Sequence, residues 1–341
     1  MSYPLIILGA GASFDYIRED LIRDPLAHNF RPPLTDKLFR TNLLKGIVEE
    51  YPVLNNLIAS AEAAMQHGKN LEEYLSEIKL KNIERQCQIV AMQFYLQKFF
   101  QEISDKYYQI GNNYSALVSA IQDTEKGEAC IVTFDYDSLF EKALNFPIER
   151  EIDDYIKGPI KLIKAHGSCD WVRIIKDEWR DIEKVYKSSY NFLIKDPTYL
   201  KDQFKNKNRQ IYIRRDYKET RQYSASDARV IHYHPEVAVP LADKDDSFVC
   251  PDSHINVVIN ALSEVDRILI VGWKAGDASF IKLMAENIKN PVKLTIVAGS
   301  QSASRDIYKR ISHIANLSPE FSSSTFSSFV GDDMYKKFFS Y

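Results

Sequence analysis

The sequence predicts an α/β fold: a Rossmann-like parallel sheet with helices on both faces, plus a helical insertion. Three observations carry this. The chain opens on a short apolar run, Tyr3-Pro4-Leu5-Ile6-Ile7-Leu8, that stops at Gly9-Ala10-Gly11-Ala12-Ser13. Four later runs are short and rich in Ile, Val and Leu, as buried parallel strands are. Stretches with helical periodicity separate them.

In chain order, the first run reads as a buried strand whose small-residue turn lets backbone come close to a phosphate. A helix starting there would aim its first N–H groups at the same point. The turn makes a dinucleotide the leading ligand, although a plain strand-to-helix turn uses the same residues. Ser13 suits two roles, phosphate partner or helix cap. Residues 34–125 read as a helical insertion or subdomain. Leu71, Tyr74, Leu75 and Ile78 repeat at helical spacing there, as do Ile89, Met92, Phe94, Leu96 and Phe99. Strands are expected at 129–134 and 160–165. Residues 171–235 lose this pattern and read as a variable insertion, a candidate lid or partner surface. Strands return at 267–272 and 292–297. The tail from Ser322 reads as a loop and a short final element.

Composition excludes several classes. The formal net charge of -3 gives no global argument for nucleic acid. Locally, Lys195 to Arg221 holds nine Lys or Arg against four Asp or Glu, with Tyr199, Phe204, Tyr212 and Tyr217 between them. Such mixtures grip single strands, but a solvated insertion has the same composition and is preferred, so nucleic acid is not favoured. Cys87, Cys130, Cys169 and Cys250 form no C-x-x-C pair. That spacing excludes a paired-cysteine zinc ribbon and fits reduced thiols in the cytoplasm. His232 and His234 lack a third ligand at metal spacing, so no metal is expected. No apolar stretch reaches the ~20 residues that a membrane span needs, and no basic leader precedes the first run, so neither a membrane anchor nor a signal peptide is expected.

The predicted strand ends carry the candidate chemistry. Thr133-Phe134-Asp135-Tyr136-Asp137 follows the second strand, Ala165-His166-Gly167-Ser168 the third, and Gly272-Trp273-Lys274-Ala275-Gly276-Asp277 the fourth. Ligands of open α/β sheets bind at that edge. His166 titrates near ~6.5 when unperturbed and suits proton transfer, although a lone histidine is more often structural. Asp135 suits electrostatic stabilisation of a cationic transition state, or a helix cap. Asp137 reads as a cap or a brace. Asp277 reads equally as a ribose contact or as the N-cap of a helix from Ala278. Trp273 reads as an adenine cover or as packing.

Taken together, these blocks resemble the sirtuin-like NAD-binding family, and more closely its bacterial branch in antiviral defence. Gly9 to Ser13 resembles the family's Gly-Ala-Gly-x-Ser phosphate loop, and Arg31 to Phe39 the segment that follows it. Thr133 to Asp137 resembles Thr-x-Asn-Tyr-Asp, and His166-Gly167 the catalytic His-Gly. Pro235 to Pro251, with Lys244 and Cys250, resembles a stretch before the last strands, and Gly272 to Asp277 the late glycine turn near the adenosine. Two features depart from the family: the zinc module of the deacylases is missing, and Asp135 stands where Asn is usual.

The resemblance implies one sirtuin-like domain over residues 1–341. It implies an NAD+ glycohydrolase that acts in defence by depleting NAD+, under the control of a partner protein or of self-assembly. His166 and Asp135 are then the catalytic candidates. Gly9, Ala10, Gly11, Ser13, Asp137, Gly272 and Asp277 are the candidates for holding NAD+. A non-catalytic module that binds NAD+ or ADP-ribose is the alternative, and an NAD-dependent protein deacylase the third reading.

Overall fold

A computed structural model describes residues 4–18, 21–22, 25–39, 44–77, 83–109, 111–147, 149–176, 189–195, 210–214, 222–223, 230–239, 248–322 and 324–340. Residues 196–209 and 215–221 of the basic segment, Lys244 and the His232 side chain fall outside them. The chain divides into two compact units: 1–34 with 103–167 and 243–341, and 35–102 with 168–242.

The first unit is built on six parallel strands. They are β1 (Pro4–Leu8), β2 (Ala129–Thr133), β3 (Ile160–Lys164), β8 (Arg267–Val271), β9 (Val292–Val297) and β10 (Leu317–Ser322), in the spatial order β10-β9-β8-β1-β2-β3. The strand order reverses between β1 and β8, the doubly wound pattern that opens a crevice at the carboxyl ends. Central strands β1, β2 and β8 are buried along their whole length, which is why they read as unbroken apolar runs. Helix Asp252–Glu264 packs on β2 and β3, and helix Gln301–Ile311 on β9 and β10. Helix Asn113–Gln122 packs against Leu139–Ala143, Phe326–Gly331 and Met334–Phe339. Asn112 caps it, its Oδ1 accepting from the Ser115 N–H at 2.9 Å.

The sixth strand was not expected from the sequence. Leu317–Ser322 alternates half-buried and exposed residues and contains Pro319. Among the described residues it pairs with β9 alone, as an edge strand, so a missing N–H is tolerated.

The second unit pairs helices with an antiparallel sheet. Strands β4 (Gly167–Lys176), β5 (Ile211–Ile213), β6 (Gln222–Tyr223) and β7 (Val230–Val237) lie in the order β5-β4-β7-β6. Helices Asn55–Gln66, Leu71–Glu77 and Ser189–Lys195 belong to this unit, with most of Ile83–Tyr107. Gln93, Gln97 and Gln101 recur every fourth residue on that long helix. Their side-chain amides donate to the carbonyls of Val237, Trp171 and Arg214, at 3.1, 3.4 and 3.4 Å. Three evenly spaced amides thus tie one helix face to the backbone of β7, β4 and the end of β5. His234 lies buried among these elements, bonded to Gln93 at 3.2 Å, and burial holds it down to about 3, neutral.

Candidate active site

The site is built at the carboxyl ends of β8, β1, β2 and β3 in the first unit. Backbone bonds knit the four turns together. Gly9 N donates to Val271 O, Phe134 N to Leu8 O, Ala165 N to Thr133 O and Gly11 N to Gly272 O, all at 3.0–3.1 Å. The turns after β1 and β8 touch so closely that only glycine fits. A Cβ on Gly9 would lie 2.6 Å from Trp273 Cα, and one on Gly11 2.7 Å from Gly272 Cα. Gly272 has φ +62, and a Cβ there would meet Ala12 N at 2.3 Å. The three glycines answer first to each other, and a close-approaching ligand is a second demand on the same residues. Ala10 opens the short helix Ala10–Phe14 in the same turn and is half-buried.

Two polar groups stand at this edge. The first surrounds Asp135. Its carboxyl accepts from Ser13 Oγ at 3.1 Å, and Ser13 Oγ also shares a 2.9 Å bond with the Tyr114 hydroxyl. Ser13 is therefore neither a helix cap nor a solvent-facing hydroxyl: it is 2% exposed and joins β1's turn to β2's. Asp137 accepts from the Leu139 N–H at 3.1 Å, at the start of helix Leu139–Ala143, and its carbonyl accepts from Lys164 Nζ. Lys164 pairs with Glu141 at 3.0 Å, both side chains essentially without exposure. Glu141 accepts from the Tyr155 hydroxyl at 3.1 Å, which Arg150 bonds in turn at 3.0 Å. Burial is the main cause that raises both aspartates, with Asp137's charge adding to the effect on Asp135, which is pushed up to about 8. Burial thus favours the protonated form of Asp135.

The second group surrounds His166. Gly167, at φ +78, swings the chain from β3 into β4 and leaves His166 at the corner. Its Nε2 lies 2.8 Å from Asp277 Oδ2. The other Asp277 oxygen accepts from the Phe280 N–H at 2.9 Å and caps helix Ala278–Asn287. The Phe134 ring meets His166 edge-on, with centroids 4.8 Å apart, and Tyr136 lies at 6.3 Å. Trp273 stacks on Phe134 at 5.2 Å and meets Phe280 edge-on at 5.6 Å. The indole is buried in this packing, so the structure favours the packing role for Trp273.

The expected site residues therefore stand at one sheet edge but in two hydrogen-bonded groups, Asp135 with Ser13 and Asp137 with Lys164 on one side, His166 with Asp277 on the other. The sequence does not mark Tyr114, Lys164 or Glu141 as part of the site. Lys164 ends a strand that also holds Lys161, so the sequence does not mark which lysine is buried, and Tyr114 leaves no signal either.

Compared with known proteins, no family model matches the chain and no curated protein matches it in sequence. Among solved structures, it is similar to a Sir2 homologue in complex with NAD, at 10% identity and a TM-score of 0.43, over 98% of this chain and 89% of that one. A structure on sirtuin substrate affinity matches at 14% identity and a TM-score of 0.42, over 98% and 93%. A Sir2 protein bound to a propionylated peptide matches at 13% and 0.41, also over 98% and 93%.

Proposed function

We propose that the chain is an NAD+ glycohydrolase, which converts NAD+ and water to nicotinamide and ADP-ribose. The observation that supports this most is topological. Turns 9–13, 133–137, 165–168 and 272–277 end four neighbouring strands, beside the point where strand order reverses. Open α/β sheets take dinucleotides there, and those turns carry the blocks that resemble sirtuin-like motifs.

In this reading, water adds at ribose C1′ while the bond from C1′ to the pyridinium nitrogen breaks. The bond's electron pair leaves with nicotinamide, and positive charge builds on the ribose in between. His166 takes the proton that water or a ribose hydroxyl gives up. Asp135, in its ionised form, stabilises that positive charge as it builds. Turns 9–13 and 272–277 would hold the pyrophosphate and adenosine side. An enzyme that empties a cell of NAD+ needs restraint, so we infer control by a partner protein or by self-assembly, and a role as an effector of antiviral defence.

One observation favours a second reading, a non-catalytic module that binds NAD+ or ADP-ribose. Asp135 is buried and bonded to Ser13, and burial favours its protonated form, which offers the ribose no charge. The full chain incubated with NAD+, alone and with candidate partners, separates the two. Nicotinamide release that disappears in His166→Ala supports the hydrolase. Binding without release under every condition supports the module, and NAD-dependent removal of an acyl group from a lysine peptide would mark a deacylase instead.

A further inference from the structure

We infer that Asp277 is a positioning residue for His166 rather than a ribose contact: its carboxylate holds the imidazole in the Nε2–H tautomer and leaves Nδ1 as the proton-accepting atom. The inference rests on the proposed role of His166 in proton transfer.

The geometry is specific about which ring nitrogen is used. Nε2, not Nδ1, faces Asp277 Oδ2 at 2.8 Å. A carboxylate only accepts hydrogen bonds, so Nε2 must carry the hydrogen. In a neutral ring the lone pair is then on Nδ1. The carboxylate is itself fixed. Its second oxygen is bonded to the Phe280 N–H at 2.9 Å, at the first turn of the ten-residue helix Ala278–Asn287. That helix end favours the ionised form of Asp277. Its side chain is 8% exposed and the imidazole 11%, so little water competes for the pair. Phe134 against the imidazole, itself stacked on Trp273, limits ring rotation. Both carboxylate oxygens are thus committed inside the protein, one to a helix and one to the base.

Asp277→Asn tests this with little disturbance. Asparagine keeps an oxygen for the Phe280 N–H and is an equally good cap. Its other end donates instead of accepting, so Nε2 must become the acceptor and the proton must move to Nδ1. The full-length chain with 15N-labelled histidine is compared by NMR at alkaline pH, where the ring is neutral. The expected result is the Nε2–H tautomer of His166 in the wild type, its reversal in Asp277→Asn, and an unchanged thermal midpoint. In an active preparation, kcat for nicotinamide release should fall about 10²–10⁴-fold, the scale of losing a base's correct tautomer, while KM stays close to wild type. A wild-type ring protonated on Nδ1, or the same tautomer in both proteins, overturns the proposal, the first without needing any variant. A wild type with the Nε2–H tautomer, reversed by the substitution but releasing no nicotinamide, supports the pairing and counts against the hydrolase alone.

Discussion

The Asp135 turn and the His166 turn end two paired strands, yet the chain treats them differently. Asp135 looks inward, into Ser13, Tyr114 and the buried row of Asp137, Lys164 and Glu141. Its neighbour Phe134 looks the other way, against His166, which is held by Asp277 and aromatic rings. Consecutive residues of one turn therefore serve two groups. The lesson is that position at a strand end does not fix a residue's role; what its polar atoms are bonded to does. The Asp135 group should answer in stability as well as in chemistry, and the His166 group mainly in chemistry.

That contrast can be broken or sharpened by substitution. The largest effect is expected at the base: His166→Ala should lower nicotinamide release by about 10²–10⁴-fold, as loss of an acid–base group does, at a temperature where a thermal melt shows the variant folded. A large loss of stability in this variant would erase the contrast. Lys164→Met comes next. It leaves Glu141 buried without its cation, and breaking such a pair costs about 3–5 kcal/mol, read in a denaturant melt.

Asp135→Asn is smaller and depends on pH. Burial raises the folded-state value to about 8, whereas the unfolded value is about 4. Between those values the folded protein holds a proton that the unfolded chain releases, so wild-type stability falls as pH rises. Asparagine does not titrate. Its midpoint relative to wild type should therefore climb between about pH 4 and pH 8, by several degrees on the scale of ~1 kcal/mol or more. A difference that is constant across this window would show that Asp135 is not held neutral. Tyr114→Phe is the smallest test. Removing the hydroxyl that Ser13 shares should cost about 1 kcal/mol, with nicotinamide release nearly unchanged.

The parallel sheet was legible because strands buried on both faces announce themselves as apolar runs. β10 was not, since its half-exposed alternation and Pro319 look like a loop until β9 is beside it. The antiparallel sheet was hidden for a related reason: β5 is three residues long, too short to show a period. At the site, the polar turns could be read from the sequence, but their bonding could not. His166 and Asp277 are 111 residues apart, and Ser13 is 101 from Tyr114. The glycines show the limit most clearly. The sequence points Gly9 and Gly11 to a phosphate and Gly272 to the adenosine, whereas in the structure each already makes room for the other turn.

The most direct test of the central claim is an experimental structure of the His166→Ala protein with NAD+, which a hydrolase lacking its base should retain uncleaved. The account predicts the dinucleotide along the carboxyl ends of β8, β1, β2 and β3, its phosphates against turns 9–13 and 272–277 and its nicotinamide ribose beside position 166. A dinucleotide bound on any other surface, or none at saturating concentration, would contradict it.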